Sequence, residues 1–393
     1  MNPKCSVCGS PLESVIKLPE FPLTGIYSKS GQDSKFRNYD QELLLCTACG
    51  HAQIKNIIDV NFMYGDTYGF RTSASETASG GSQYFSRYID TLFPGRVFKS
   101  IVDLGCNDGY LLKLFKQENK SKQYLGVDLI WKDNPQVYKD GEINFSGDKI
   151  ESIDFSDFLD DYPELVVSQH TLEHIEDPKA LLESLFLKTG DETIFVFEFP
   201  CFDPLLENLR FDQVFHQHLQ YFSVQSFLHM LGLLDAVLID YTINYNYWGA
   251  LIIAFKKRAK STSANNPIVF NPEKSMAAIQ DKYQSFKNQM AITAEILNNL
   301  ENEVWYGYGA ALMLPILGYH LGTDFSNFKN ILDNDPQKAG LGYINLPVKI
   351  QQPGTLDFSA ANILLTALDN RLPILNKLNK HHPKRILNPL MII

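Results

Sequence analysis

The sequence predicts an α/β protein in three parts: an N-terminal module held by a metal ion, and two domains built on mostly parallel sheets. Short apolar runs alternate with amphipathic helical stretches over most of the 393 residues. The first part instead holds four of the six cysteines and little apolar sequence, so it needs a cross-link such as a bound metal ion in order to fold. We place the three parts at residues 1–62, 63–258 and 259–393.

The order of strands and helices supports the two α/β domains. In the second part the predicted strands lie at Phe98–Leu104, Tyr124–Asp128, Leu165–Ser168, Thr193–Phe197 and Leu251–Phe255. The predicted helices lie at Tyr84–Phe93, directly after Gly109, at Pro178–Leu187 and at Val224–Leu231. After a polar linker the third part begins with a helix at Pro272–Leu300 and continues with strands at Val304–Tyr306, Asn330–Leu332 and Asn362–Leu365. This alternation is typical of a parallel sheet covered by helices on both faces.

Composition narrows the classes of partner. A formal net charge of −10 argues against nucleic acid or an anionic membrane as partner, because both bind basic surfaces. The apolar stretches are far shorter than the ~20 residues that span a bilayer. The first residues lack the apolar run of a signal peptide. We therefore expect a cytoplasmic protein whose cysteines are reduced or bound to metal.

Four cysteines are arranged as two pairs, Cys5-x-x-Cys8 and Cys46-x-x-Cys49, and a glycine follows each pair. Two intervening residues let both sulfurs of a pair point at one ion, and two such pairs supply the four thiolates of a tetrahedral zinc site. Four thiolates leave no open position, so we expect structural Zn²⁺ whose binding offsets the weak core of this module. A redox dithiol is the alternative.

A glycine loop follows the first predicted strand of the second part. Its candidate cofactor-binding residues are Asp103, Gly105, Asn107, Asp108 and Gly109. The glycines let the backbone approach a ligand and let the next helix pack closely. A dinucleotide loop would place three glycines around a pyrophosphate. The carboxylates here repel a pyrophosphate and favour the cationic sulfonium of S-adenosylmethionine, which is the cofactor that we predict.

Two more carboxylates extend this candidate site. Asp128 ends the next predicted strand, where a carboxylate suits the two hydroxyl groups of a ribose. Asp148 lies in a later turn from which it could reach an adenine, although a solvated loop carboxylate is an equal alternative. Both are included in the predicted cofactor site.

Two histidine-bearing segments follow. The segment from Ser168 to Pro178 follows the predicted strand that starts at Leu165 and resembles the post-strand motif of class I methyltransferases, which would place Gln169 and His170 beside the methyl donor. Farther on, His216 and His218 alternate within Phe211–Ser223. They share a face only if that segment is extended. A neutral imidazole there can remove a proton near pH 7, or can simply be packed in the core.

Taken together, these motifs resemble those of the sugar C-methyltransferases that act on nucleotide-linked deoxy-keto sugars. The resemblance rests on the cysteine quartet, the glycine loop, the double-histidine segment, Tyr247–Ala250 and Gly307–Ala310, and it covers nearly the whole chain. It implies a zinc module, a class I methyltransferase domain and a C-terminal Rossmann-like domain. It also implies a nucleotide-sugar substrate held between the last two domains.

The resemblance assigns roles to single residues. His218 stands at the position of the family's base, which would remove a proton next to a ketone before the methyl group is transferred. Phe215 and Gln217 stand where the family has tyrosine and glutamate, and another family tyrosine falls near Tyr68 or Phe70. Gln217 and Tyr68 are therefore included, with His216 and His218, in the predicted catalytic set. The two replacements leave open whether carbon or oxygen is methylated.

Three alternatives remain at this point. The first is a sugar O-methyltransferase that uses the same histidines. The second is an NAD(P)-dependent oxidoreductase built on Gly307-x-Gly309, although a third glycine is missing there. The third is a non-catalytic zinc- and cofactor-binding scaffold. Candidate contacts to a phosphate or a sugar are Arg210, His216, Tyr308 and Lys338.

Overall fold

The computed structural model describes residues 3–29, 38–59, 71–132, 143–258, 272–354 and 356–390. Within these ranges the strands form three sheets. The strands are β1 Leu12–Phe21, β2 Tyr27–Ser28, β3 Tyr39–Cys46, β4 Ala52–Ile54, β5 Phe98–Leu104, β6 Ser121–Val127, β7 Ile143–Ser146, β8 Leu165–Gln169, β9 Ile194–Pro200, β10 Gln220–Tyr221, β11 Ala236–Asn244, β12 Ala250–Lys257, β13 Trp305–Tyr308, β14 Phe328–Leu332, β15 Gly342–Tyr343, β16 Leu346–Gln351, β17 Asn362–Leu365 and β18 Arg385–Leu387. The α-helices are α1 Glu76–Leu92, α2 Tyr110–Gln117, α3 Pro178–Leu187, α4 Phe202–Glu207, α5 Val224–Leu233, α6 Pro272–Asn299, α7 Leu314–Leu321 and α8 Arg371–Leu378.

The first sheet carries the cysteine pairs. It has the strand order β1-β3-β4-β10, and its neighbours are antiparallel. The buried residues Val15, Leu18 and Leu43 give it a small apolar face. Its last strand, β10, comes from a segment far along the chain, so this sheet is completed by the second part of the sequence.

The second sheet has the order β11-β12-β9-β8-β5-β6-β7 within the described ranges. The strands from β9 to β7 run parallel, whereas β12 and β11 run antiparallel at one edge. Apolar residues of α1 and α2 cover one face, and those of α3 and α5 cover the other. Ligands of such sheets bind at the carboxyl ends of the parallel strands, on either side of the point where the strand order reverses. Here that point lies between β5 and β8.

The third sheet confirms the predicted Rossmann-like domain. Its parallel strands have the order β18-β17-β13-β14-β16, which is the doubly wound order with β13 as the first strand. The antiparallel β15 follows at one edge, and β2 from the N-terminal region pairs with β15. In the part of the chain that the structure describes, no helix has the length and apolarity to cross a bilayer.

Candidate active site and metal centre

The four paired cysteines meet in one cluster. The sulfurs of Cys5 and Cys49 lie 3.7 Å apart, and those of Cys8 and Cys46 lie 3.4 Å apart. All four sulfurs lie within 4.8 Å of one another. Four thiolates at ~2.3 Å from a tetrahedral ion are separated by about 3.8 Å, so the donor set fits Zn²⁺. The backbone N–H groups of Ala48 and Cys49 also point at the Cys46 sulfur, as expected around a thiolate.

A hydrogen-bonded bridge joins the metal centre to the central sheet. Ser6, between two of the cysteines, donates through Oγ to Gln220 Oε1 at 2.8 Å, and the buried His51 contacts the same oxygen through Nε2 at 2.8 Å. The Gln220 amide in turn donates to the carbonyls of Ile175 and Glu176 at 2.9 and 3.1 Å. The metal module therefore fixes the backbone directly after the 3₁₀ turn that carries Glu173.

Removal of one thiolate is expected to weaken both the fold and the active site. Cys8→Ser should lower the zinc content from about one ion per chain to near zero and reduce thermal stability, because metal binding offsets the weak local core. Cys106→Ser, which changes a buried cysteine outside the quartet, should retain the metal. Elemental analysis and calorimetric unfolding measure the two effects. Full zinc content in Cys8→Ser would show that the quartet is not the site.

The glycine loop turns tightly between β5 and α2. Gly105 and Gly109 have φ values of 76° and 73°, which favour glycine. A Cβ at Gly105 would lie 2.0 Å from the Thr171 hydroxyl, and one at Gly109 would lie 2.4 Å from the Phe145 ring. Thus neither position accepts a side chain. Asp103, the penultimate residue of β5, is only 3% exposed.

The carboxylate of Asp128 shapes the other side of the loop. Its two oxygens accept hydrogen bonds from the N–H groups of Asn107 and Ile130 at 2.9 and 3.0 Å. Each oxygen keeps a second lone pair, which suits a ribose diol. A pocket beside it is lined by Arg71, Asp108, Ile130 and Trp131. The apolar faces of Ile130 and Trp131 suit a flat heteroaromatic base.

The other predicted cofactor residues have identifiable contacts. Asp108 accepts hydrogen bonds from the N–H and hydroxyl of Ser73, so it fixes the segment before α1. Asp148 is exposed and accepts from the Ser146 hydroxyl. Gln169 donates to Glu198 and accepts from the Ser82 hydroxyl at 2.9 Å. Asp108 therefore lies in the glycine loop and Gln169 at the carboxyl end of β8. Asp148 lies on the surface of the domain.

Burial and the neighbouring Asp128 raise the pKa of Asp103 to about 8. A cationic ligand beside Asp103 would favour its ionised form, so binding should release a proton. The affinity for S-adenosylmethionine should therefore rise by up to about tenfold per pH unit from pH 6 to 8 and then level off. Calorimetry in buffers of different ionisation enthalpy measures the released proton. Asp103→Asn should abolish the release, and an unchanged pH dependence in that variant would contradict this prediction.

A buried carboxylate, Glu173, lies among three histidines. Its Oε1 lies 3.4 Å from His170 Nδ1 and 4.0 Å from Nε2 of both His174 and His218. These are close approaches and not aligned hydrogen bonds, since neither oxygen of Glu173 has a hydrogen-bond partner. Burial would raise the pKa of Glu173, but His170 and the other two histidines lower it to about 2. The carboxylate is therefore ionised at neutral pH.

The sequence reasoning missed Glu173. Its signal was present, because an acidic residue with histidines three positions before and one position after it can bring both rings to one short turn. The turn is the 3₁₀ helix Leu172–His174, and the Thr171 hydroxyl before it donates to Leu104 O at 3.3 Å. This hydrogen bond joins the Glu173 turn to the cofactor loop.

His218 and His216 have different surroundings, because the chain turns at residues 216–217 instead of extending. Burial and the neighbouring His174 lower the pKa of His218 to about 3, so its imidazole is neutral. His216 is 2% exposed; its Nδ1 lies 3.0 Å from Gln41 Nε2 and its Nε2 lies 3.3 Å from Phe21 O. These contacts favour a structural role for His216 and leave His218 as the candidate base.

The remaining predicted catalytic residues divide in the same way. Gln217 donates through Nε2 to Thr24 O at 2.7 Å, and its backbone carbonyl lies 2.7 Å from His174 Nδ1, so the main chain at residue 217 orients that ring. The ring of Phe215 lies 4.0 Å from that of His218 and carries no donor. Tyr68 and Phe70 lie outside the described residues.

The glycine loop of the third sheet is occupied by the chain itself. The Ala310 N–H donates to Asp333 Oδ2 at 2.7 Å, and the Ala310 carbonyl accepts from the Tyr27 hydroxyl at 2.8 Å and from Lys338 at 3.2 Å. A carboxylate on the loop amide disfavours a pyrophosphate there. Lys338 also pairs with Asp333 at 3.4 Å. These contacts argue against the dinucleotide alternative.

Two other candidate phosphate contacts are engaged as well. Arg210 makes two hydrogen bonds of 2.8 Å to Asp212 and an ion pair of 2.6 Å with Asp369. The Tyr308 hydroxyl donates to Asn334 at 3.2 Å. The two carboxylates offset the charge of Arg210 and engage its N–H groups, which disfavours a phosphate there.

Comparisons with known proteins agree with this arrangement. Residues 78–238 match the family described as "Methyltransferase domain", and residues 5–64 match the family described as "Putative zinc binding domain". The central part of this chain is a methyltransferase domain. The strand order of the second sheet is that of the class I methyltransferase fold. The cysteine quartet forms the N-terminal zinc-binding module.

Several known methyltransferases are similar to part of this chain. The chain is 26% identical to the C-methyltransferase NovU of Streptomyces niveus, over 57% of this chain and 53% of NovU, so it spans about half the length of this curated relative. The plantazolicin methyltransferase BpumL, solved with a pentazolic desmethylPZN analog and SAH, has a TM-score of 0.37 and 14% identity over 48% of this chain and 87% of that chain. An S-adenosylmethionine-dependent methyltransferase from Clostridium acetobutylicum has a TM-score of 0.34 and 10% identity over 48% and 94%.

Proposed function

We propose that this chain transfers the methyl group of S-adenosylmethionine to a nucleotide-linked sugar, with His218 as the base. One observation carries the proposal: the buried Glu173 carboxylate lies 4.0 Å from His218 Nε2, and the Thr171 hydroxyl in the same short segment donates to Leu104 O, directly before the cofactor loop. This arrangement supports a proton acceptor next to the predicted methyl-donor site. The sugar substrate comes from the resemblance of the motifs, and the carbon acceptor agrees with the name of NovU.

The proposed chemistry uses the ionised Glu173. A carbon next to a ketone loses its proton to the imidazole of His218, and the Glu173 carboxylate 4.0 Å from His218 Nε2 stabilises the resulting imidazolium. The enolate carbon then attacks the methyl group, the carbon–sulfur bond breaks, and S-adenosylhomocysteine leaves. The sheet edge contributes mainly by holding the two reactants in line.

Methylation of a sugar hydroxyl is the second candidate, and Phe215 favours it. An enolate oxygen needs a hydrogen-bond donor, which the Phe215 ring beside His218 does not supply. A hydroxyl group needs only the removal of its own proton.

We also propose a cytoplasmic location, which the reduced thiolates of the zinc module fit.

Mass spectrometry of nucleotide-sugars incubated with the chain and methyl donor tests the proposal. A gain of about 14 mass units, a methyl group in place of hydrogen, is the expected result. Loss of deuterium placed on the sugar carbon would identify C-methylation, and its retention would identify O-methylation. Absence of any methylated product across uridine- and thymidine-diphosphate hexoses and their keto forms would reject a sugar substrate.

A further inference from the structure

Unpaired polar atoms converge beside the proposed base, at the edge where β9 ends. The side chains of Glu198 and Asn244 are buried, at 1% and 2% exposure. Buried atoms without a hydrogen-bond partner are Glu198 Oε1, both amide atoms of Asn244, Trp248 Nε1 and His170 Nε2. Buried polar groups in proteins are nearly always paired, so such a concentration needs an explanation.

The sheet register brings these residues together. Strand β12 lies between β9 and β11, with Ala250 opposite both Pro200 and Asn244, and with Ile252 opposite Glu198. Glu198 and Asn244 therefore lie on one face of the sheet, diagonally across the small Ala250 side chain. Burial raises the pKa of Glu198 to about 7, and no hydrogen bond pairs its Oε1 or the amide atoms of Asn244. Both side chains therefore offer unpaired hydrogen-bonding atoms on the same face of the sheet.

His170 and Trp248 close the other sides. The backbone N–H of His170 donates to the backbone carbonyl of Glu198 at 2.8 Å. The centre of the His170 ring lies 5.5 Å from that of Trp248. Trp248 has a φ of 58°, an unfavourable value for a bulky residue. Tyr247 stacks against it, with ring centres 4.3 Å apart.

The unpaired atoms define the chemistry of the ligand. The Trp248 N–H and the Asn244 NH₂ are donors, whereas Glu198 Oε1 and the Asn244 oxygen are acceptors. A carboxylate or phosphate ligand would meet the Glu198 carboxyl, and an ammonium ligand would leave the donors unpaired. Hydroxyl groups donate and accept at once, so a ligand with neighbouring hydroxyl groups pairs the whole set.

His170 connects this set to the base. One of its ring nitrogens approaches Glu173, which is 4.0 Å from His218, and the other is the unpaired Nε2. We propose that Glu198, Asn244 and Trp248 form a hydroxyl-binding subsite that holds the acceptor sugar while its reacting atom faces His218. This inference rests on the proposed function and names the part of the acceptor that the site recognises.

Binding measurements on the full chain loaded with zinc and S-adenosylhomocysteine test the subsite. The probes are uridine- and thymidine-diphosphate hexoses, each with analogues that lack one ring hydroxyl. The wild type should prefer at least one parent sugar over an analogue by roughly tenfold. Trp248→Phe and Glu198→Gln should remove that preference, because they should weaken the binding of the parent sugar and not that of the analogue. A second variant, Asn244→Ala, guards against a folding defect in either.

Trp305→Phe is the matched control, since it also removes an indole N–H, one that donates to Leu300 O in the third sheet's domain. It should leave the preference unchanged. Equal preferences in the wild type and all subsite variants, or altered stability alone, would overturn the subsite and indicate ordered water there. Hydroxyl-dependent binding without methyl transfer would reject the proposed function and keep the subsite. Methyl transfer to a sugar, combined with the same hydroxyl preference in the wild type and the subsite variants, would support the proposed function and reject the subsite.

Discussion

Asp128→Ala is expected to weaken the binding of S-adenosylmethionine by about a hundredfold or more. A carboxylate that pairs with two ribose hydroxyls makes two charge-assisted hydrogen bonds, each worth about 1.5–3 kcal/mol. The same carboxylate accepts from the Asn107 and Ile130 N–H groups, so its loss also loosens the loop. Isothermal titration of S-adenosylmethionine and S-adenosylhomocysteine measures the effect, which should be similar for both ligands because both carry the ribose.

Two aspartate variants serve as comparisons for Asp128→Ala. Asp148→Asn should change the affinity by less than about threefold, because its side chain is exposed and bonded to Ser146. Asp191→Asn lies before β9, at the opposite edge of the sheet, and its side chain is 97% exposed, so no change is expected. Wild-type affinity in Asp128→Ala would show that the methyl donor binds elsewhere.

The regular elements were predictable because their apolar patterns are local. Strands Phe98–Leu104 and Asn362–Leu365 and helix Pro178–Leu187 were predicted with the bounds that the structure has. The strand predicted to end at Asp128 ends instead at Val127, because Asp128 caps the 3₁₀ helix after it. Side-chain capping competes with strand pairing at such ends.

Long-range pairings could not be predicted in the same way. Strands β2 and β10 have two residues each, and their partners lie in distant parts of the chain. A two-residue strand has no periodicity to detect. The cysteine quartet was predictable because its spacing reflects ion geometry, whereas the convergence of Glu198, Asn244 and Trp248 depends on sheet register alone. The sequence therefore indicated the predicted methyl-donor site better than the proposed subsite for the acceptor sugar.

His218→Ala is expected to lower turnover by a factor of about 10² to 10⁴ while leaving the affinity for S-adenosylhomocysteine unchanged. Its Nε2 faces Glu173 at 4.0 Å, so the variant loses the proton acceptor and keeps the cofactor loop. His216→Ala, two residues away, should instead lower the free energy of unfolding by about 1–3 kcal/mol, because it leaves buried partners at Gln41 and Phe21 unpaired. Single-turnover rates and calorimetric unfolding separate the two roles. Turnover retained in His218→Ala and lost in a stably folded His216→Ala would exchange the two assignments, and the base would then have to act from within the contact between the zinc module and the methyltransferase domain.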